Sequence, residues 1–461
     1  MATKQQALGG VAMSSRLAGM LALLAVGFFH LAYAGAGAEC SIFLFLTVLC
    51  LLAGIPSTRG GFYYGLCIGL AIYAPQLSFF WKIFGPGAVA LWLILALWLA
   101  LFLLLAKLMR ERYPPYIWMV AMPFLWMGLE YFRSEIYYLK FSWLNVGYVF
   151  SNSAGLTNIS FLGMYGVGFA LMMVAALLAR SGVLRAIGGG ALVVLALFLV
   201  TSTSKGIKAS KVSRLKVAGV QLEFPGVLEV EQALDKLYMR HPQADLLVLS
   251  EYTFDGPVPG RILNWCKKRS RYLMAGGKVP SGTEFFNTAF VVSPEGKIVF
   301  EQVKCVPIQF FKDGYPASQQ NVWDSPWGKL GICICYDFSY RRVTDQLVMK
   351  GAQALIVPTM DVAEWGASQH KLHARVALVR AAEYQLPVFR LASSGISQGV
   401  DCDGHQVASA PFPGEGEMLY AELAMPPRGR MPVDHWLAPI SVGIAGLFIV
   451  GLGIKTRRKN P

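Results

Sequence analysis

Three residues in one polar stretch of the chain have the types that an activated thiol needs: the carboxylate of Glu251, the amine of Lys304 and the thiol of Cys335. A thiol becomes a nucleophile when a base takes its proton, and a nearby cation holds the charge that passes to sulfur and then to the attacked carbonyl oxygen. Such a set performs acyl chemistry. Each member alone has a plainer reading: a capping or solvated Glu, a surface Lys, an inert core Cys. The set gains meaning only from the elements that bring it together.

Those elements are legible. Glu251 follows the apolar run DLLVLS, and Cys335 closes LGICIC just before Tyr336 and Asp337. Lys304 follows the run pair FNTAFVVS and KIVFEQV, joined by the turn signal PEG, which predicts a hairpin. Carboxyl ends of buried strands are where α/β folds gather their reactive groups. Cys333 and Cys335, two apart in one predicted strand, share a face, with Cys333 as core.

Further strand-like runs are LKVAGVQ, YLMAGGK, ALIVPT and PVFRLASS, while EVEQALDKLYMR, RRVTDQLVMKG and HKLHARVALVRAAEY have helical periodicity. Short apolar strands separated by helices predict sheets covered by helices, a layered α-β-β-α sandwich. Eight cysteines without framework spacing argue against a disulfide scaffold, and no Cys/His cluster suggests zinc, so no metal or cofactor is expected.

The whole chain is more apolar than this domain needs. Of its 461 residues 55% are hydrophobic and only 15% charged, which points to a bilayer as second solvent. Apolar runs near the spanning length of roughly 20 residues lie around 17–36, 41–56, 61–80, 87–106, 114–132, 158–179, 183–202 and 436–454. This predicts eight spans. The expected domains are a transmembrane region over 1–202, a catalytic domain over 203–435, and the last span with a basic tail over 436–461.

Lys4, Arg16, Arg59, Lys107, Arg110, Arg112, Arg180 and Arg185 fall on one side of these spans, as does the tail Lys455, Arg457, Arg458 and Lys459. Positive flanks stay in the cytoplasm, so both termini are expected there and 203–435 on the outer face. The first apolar run reads as a retained anchor. Arg133 and Lys140 are the exception; they read as interfacial charges offset by Glu130 and Glu135. The net charge of +14 suits an anionic leaflet, and no basic stripe interleaved with aromatics suggests a nucleic acid.

The order Glu251, Lys304, Cys335 and the segment GICICYDFSYRR resemble the carbon-nitrogen hydrolase, or nitrilase, superfamily. A domain of that kind before the last of eight spans resembles the bacterial apolipoprotein N-acyltransferases over nearly the whole chain. WMGLEYFRS and FSWLNVGY, with Trp126, Glu130, Arg133, Trp143, Gly147 and Tyr148, resemble that family's loop between the fifth and sixth spans. QHKLHARVALVRAAEYQLPVFRLASSGIS resembles its helix and strand after the nucleophile, with Gln369, His370, Arg375, Arg380, Glu383, Arg390 and Gly395 in matching places. Arg375 and Glu383 read as a scaffold ion pair.

The chain departs from the pattern at KCVPIQFFKDG, where anchoring on Pro307 puts Gln302 at the Lys position; Lys304 is preferred because it alone is a Lys at that strand end. Asp313 stands in for the family's loop Glu. TMDVAEWG replaces an Asn-rich WFG segment, and Ser393 an Asn.

The resemblance implies that Cys335 takes an acyl chain from a membrane phospholipid as a thioester and passes it to the N-terminal amine of a diacylglyceryl-cysteine lipoprotein. Glu251 is then the base, Lys304 and the Tyr336 backbone N–H hold the oxyanion, and Asp337 braces the Lys or its loop. The implied location is the bacterial inner membrane, with the catalytic domain periplasmic. Trp323, Trp327, Phe310, Phe311 and Trp365 are candidates for an apolar rim that excludes water. The alternative is a membrane-anchored amidase or nitrilase acting on a soluble substrate.

Overall fold

The computed structural model describes residues 13–35, 37–152, 156–181 and 213–457. These divide into two compact units. One holds the described residues of Met1–Phe132, Tyr165–Leu199 and Trp436–Pro461; the other holds those of Arg133–Met164 and Val200–His435.

The first unit is helical, with helices Ser15–Ala34, Ser41–Leu52, Thr58–Gln76, Phe79–Phe84, Gly87–Arg112 and Pro115–Tyr131 before Met164–Ser181 and Asp434–Arg457. Three of the described helices are long and apolar enough to cross a bilayer: Ser15–Ala34, Gly87–Arg112 and Asp434–Ile454. The expected run 183–202 and the basic residues Lys4, Arg185, Arg458 and Lys459 lie outside the described residues.

The expected span 158–179 is corrected. Helix Leu156–Leu162 ends at Gly163, where φ is +80° and a Cβ would lie 2.1 Å from Asp434 Oδ1, and a new helix starts at Met164. Only glycine fits both demands. The Met164 N–H donates to Glu383 Oε1 at 2.9 Å, which satisfies one of the free donors of the new helix.

The second unit contains two six-stranded sheets. The first has the order β12-β1-β2-β3-β4-β5 and the second β11-β10-β9-β8-β7-β6. Their ranges are β1 Ser213–Val220, β2 Leu246–Val248, β3 Tyr272–Ser281, β4 Glu284–Val292, β5 Ile298–Val303 and β6 Val322–Ser325. They continue with β7 Gly328–Ile332, β8 Ala354–Thr359, β9 Val388–Ala392, β10 Ser397–Val400, β11 Gln406–Ala410 and β12 Met418–Met425. In the first sheet β1, β2 and β3 run parallel, and in the second β7, β8 and β9 do. The predicted β4–β5 hairpin is present.

Helices Val227–Arg240 and Gly260–Arg269 cover the first sheet through Leu234, Leu237, Ile262 and Trp265, packed on Ala218, Leu247 and Leu273. Burying such aliphatic side chains stabilises by about 1.5–3 kcal/mol each. The layers agree with the expected sandwich. Strands β6, β10, β11 and β12 and the helix Gly260–Arg269 add to the sequence reading.

The second unit also takes in residues 133–164, which the expected division at 202 assigns to the transmembrane region. The cause is a set of buried polar contacts. Glu135 Oε1 accepts from the Arg341 N–H at 3.1 Å and lies 3.9 Å from Arg380 Nη2; Trp143 Nε1 donates to Ser339 Oγ at 2.9 Å. Arg133, 4% exposed, donates to Asn145 Oδ1. Arg133 and Glu135 are therefore buried with partners inside this unit, and Glu135 also offsets the charge of Lys140. Glu383 likewise pairs with Arg380 and not with Arg375, since eight residues put the latter about 12 Å away along the helix axis.

Candidate active site

Glu251 lies three residues beyond β2, and its backbone is held by β3. The Gly276 N–H donates to Ser250 O at 3.1 Å, and a Cβ on Gly276 would meet Glu251 Cα at 2.6 Å. Close approach of the two chains requires glycine there. Lys304 follows β5 directly, its N–H donating to Asn287 O at 2.8 Å across the hairpin. Both side chains are buried, and Lys304 Nζ sits 2.9 Å from Glu251 Oε1 and 2.8 Å from Asp313 Oδ2.

Gln302, the other register, does not enter this cluster. It donates to Val303 O at 2.8 Å and accepts from the Asn321 N–H at 2.9 Å. Two residues of offset keep the same face of a strand, so the separation arises because Lys304 has already left β5.

Cys335 is not part of β7, which ends at Ile332; it opens the 3-10 turn Cys335–Ser339 with φ of +50°. The expectation that Cys333 and Cys335 share a strand face is thereby overturned. A left-handed backbone at a non-glycine residue costs on the order of 1–3 kcal/mol and aims the side chain sharply off the strand. The Cys335 thiol donates to Met360 O at 3.7 Å, and the charge of Glu251 is near enough to act on it.

Met360, just past β8, touches both partners, because its N–H donates to Glu251 Oε2 at 2.9 Å. Glu251, Lys304 and Cys335 are thus brought together. The side chains of Tyr336 and Asp337 are not. Tyr336 OH donates to Lys140 O at 2.9 Å. Asp337 accepts from the N–H groups of Cys305 at 3.0 Å and Val306 at 2.7 Å, bracing the loop that follows Lys304 rather than its amine.

Two residues complete the cluster. Asn287 on β4 donates through Nδ2 to Glu251 Oε1 at 2.6 Å and to Asp313 Oδ1 at 3.0 Å. Sequence reasoning missed it; an amide at a buried phase of an otherwise apolar strand is the signal that marks it. Asp313, expected as a loop substitute, also accepts from Tyr252 OH at 2.5 Å and from the Ile308 N–H at 2.7 Å. One ammonium therefore serves two carboxylates.

The electrostatics follow. Burial pushes the Glu251 carboxyl above its usual range against the opposing charge of Lys304. Burial by itself would lower the Lys304 ammonium, but Asp313 and Glu251 together raise it well above the ordinary lysine value. Burial, then the charge of Glu251, holds the Cys335 thiol well above the ordinary thiol range. The Glu251 and Cys335 shifts both favour the neutral forms, and a carboxyl raised in this way is suited to accepting a proton from a neighbouring acid.

A cavity of about 490 Å³ opens onto Glu251, Lys304, Asp313 and Met360 and is walled by Phe224, Phe311, Val362 and Trp365. Phe311 and Trp365 meet with ring centroids 6.2 Å apart. Trp323 and Trp327 do not line it; they pack with Tyr272 at 5.7 and 5.1 Å. Asp401, Asp403 and His405 cluster on a turn between β10 and β11, where Asp401 Oδ1 accepts from the N–H groups of Asp403 and His405.

Comparison with known proteins finds two matches along the chain. Residues 12–177 match the family described as apolipoprotein N-acyltransferase N-terminal domain, and residues 238–430 match carbon-nitrogen hydrolase. An apolipoprotein N-acyltransferase of Geobacter metallireducens is 24% identical over 81% of this chain and 85% of its own length. A formamidase of Bacillus cereus is 28% identical over 33% of this chain, which spans 55% of that relative. The Saccharomyces cerevisiae nitrilase-superfamily protein Nit3 aligns with a TM-score of 0.41 and 24% identity over 47% of this chain and 93% of its own. With a helical part and a strand-bearing part that match in this order, the chain belongs to the apolipoprotein N-acyltransferase family, within the carbon-nitrogen hydrolase superfamily.

Proposed function

We propose that this enzyme moves a fatty acyl chain from a membrane phospholipid to the N-terminal amine of a diacylglyceryl-cysteine lipoprotein through a thioester on Cys335. The observation that carries the reading is the meeting of the buried Cys335 thiol and Glu251 at one peptide, that of Met360, with Glu251 paired with Lys304 and opening onto an aromatic-walled cavity. Lipoprotein N-acylation is the activity of the family; the donor, the intermediate and the residue roles are the proposal.

In the first half, Glu251 takes the Sγ proton as sulfur bonds to the ester carbonyl carbon. Lys304 and the Tyr336 backbone N–H hold the oxyanion. The C–O bond of the ester breaks, Glu251 returns the proton to the departing lysophospholipid oxygen, and the thioester remains. In the second half the lipoprotein amine attacks that carbonyl, its proton passes to Glu251, and the C–S bond breaks. The thiolate recovers the proton. Burial of Glu251 and Lys304 restricts water, which would otherwise hydrolyse the thioester.

The helices beginning at Ser15, Ser41, Thr58, Gly87, Pro115, Met164 and Asp434, with the run 183–202, form eight crossings in this reading. Both termini are cytoplasmic and the catalytic domain is periplasmic, at the inner membrane. The Lys and Arg flanks support this orientation.

Incubation of the purified protein with acyl-labelled phospholipid tests the whole scheme by intact mass. A Cys335-linked acyl group that a lipopeptide amine discharges is the expected result. Discharge by water alone would make the chain a hydrolase, as the formamidase relatives are named, and no adduct on Cys335 would overturn both readings.

A further inference from the structure

Among the described residues the Met360 backbone bonds to both Glu251 and the Cys335 thiol, and the next residue is held by many contacts. The Asp361 N–H donates to Ser393 Oγ and the Asp361 carbonyl accepts from that hydroxyl, both at 3.0 Å. Its carboxylate accepts from Arg390 Nη2 at 2.5 Å and Gln369 Nε2 at 3.1 Å, and contacts His373 Nδ1 at 2.8 Å. Asp361 is fully buried, and Arg390, His373 and Gln369 are each at most 3% exposed.

Burial alone would raise the Asp361 carboxyl; His373 and Arg390 more than reverse this and hold it well below the usual carboxylate range. The plainer reading is a scaffold ion pair that merely stabilises β8 and β9. Its placement argues for more. The pinned residue adjoins the peptide whose N–H holds Glu251 Oε2 and whose carbonyl lies beside Cys335 Sγ.

We infer that Asp361 is a positioning residue: its carboxylate, anchored by Arg390 and His373, locks the Met360 peptide so that Glu251 and Cys335 stay aligned for proton transfer. This rests on the acyl-transfer reading of the site. A shift of the peptide by an ångström would rotate Glu251 off the thiol, and misplacements of that size cost up to roughly 100-fold in rate.

The test compares the full-length wild type, Asp361→Asn, and Leu237→Ala, a core-truncation control on the helix Val227–Arg240. Two readouts are taken: the single-turnover rate of Cys335 acylation against phospholipid concentration, and the rate of Cys335 alkylation by iodoacetamide without lipid, both by peptide mass spectrometry. Asp361→Asn is expected to slow the saturating acylation rate and the alkylation each by about tenfold or more, with half-saturation unchanged. Leu237→Ala should lower thermal stability yet leave both rates near wild type.

Rates in Asp361→Asn equal to those of the Leu237→Ala control would reduce Asp361 to scaffold and overturn the inference. If the wild type accepts no acyl group, the acyl-transfer reading fails on that result. The alkylation comparison then still decides on Asp361, a tenfold fall supporting its positioning role and equality ending it.

Discussion

On the side of the first sheet, Glu251, Asn287 and Lys304 form a charged cluster linked by contacts of 2.6 and 2.9 Å. On the side of the second, Cys335 and Met360 present a thiol and a peptide, with Cys335 held in a left-handed backbone. One half of the site buries two carboxylates around one ammonium; the other holds a neutral thiol on a strained backbone. Lys304 favours the charged form of the base against its burial, and the thiol keeps its proton because burial opposes a second anion beside Glu251.

The sharpest break of this comparison is to remove the neutral half. Cys335→Ala is expected to abolish the acyl enzyme, a loss of about 10⁴-fold or more in turnover, with the fold retained by circular dichroism. Persistent turnover would show that the charged half works without it. Next comes Lys304→Met, which leaves Glu251 and Asp313 buried as like charges. Stability measured by denaturant melts should fall by about 3–5 kcal/mol, along with acylation. Gln302→Ala, outside the cluster, should leave acylation near wild type.

Glu251→Gln keeps the shape of the charged half and removes its proton acceptor, so acylation should slow by about 10²–10⁴-fold. The same base fixes a pH dependence. Glu251 must be ionised to accept the thiol proton, and burial raises its carboxyl. The wild-type acylation rate should therefore fall with decreasing pH at values above the ordinary carboxyl range, and Glu251→Gln should lose that limb. The smallest effect is expected from Cys333→Ala, which removes a buried sulfur outside the contact set. A loss of up to about 2 kcal/mol in stability with unchanged acylation would confine reactivity to Cys335.

Much of the fold could be read in advance because burial leaves a local trace. Runs such as DLLVLS and LGICIC mark strands covered on both faces, and PEG between two such runs marks a hairpin. Asn287 left almost no trace. One amide in a strand becomes part of the site only because β4 lies between β3 and β5, where the chain leaving β2 brings Glu251 to it. The membership of 133–164 was equally hidden, since Glu135 finds its partners some 206 residues later, at Arg341.

The order and types of Glu251, Lys304 and Cys335, the helical first part and the layered α/β second part were determined by sequence alone, because residue type and periodicity are properties of short segments. Tertiary structure decided which Lys-equivalent position meets Glu251, that Asp313 and Asn287 share the same charge, and that Cys335 leaves its strand before it reaches the base. Each of these depends on where a distant strand ends. Compensation of a buried charge is a matter of ångströms between elements, and local pattern has no means of specifying them.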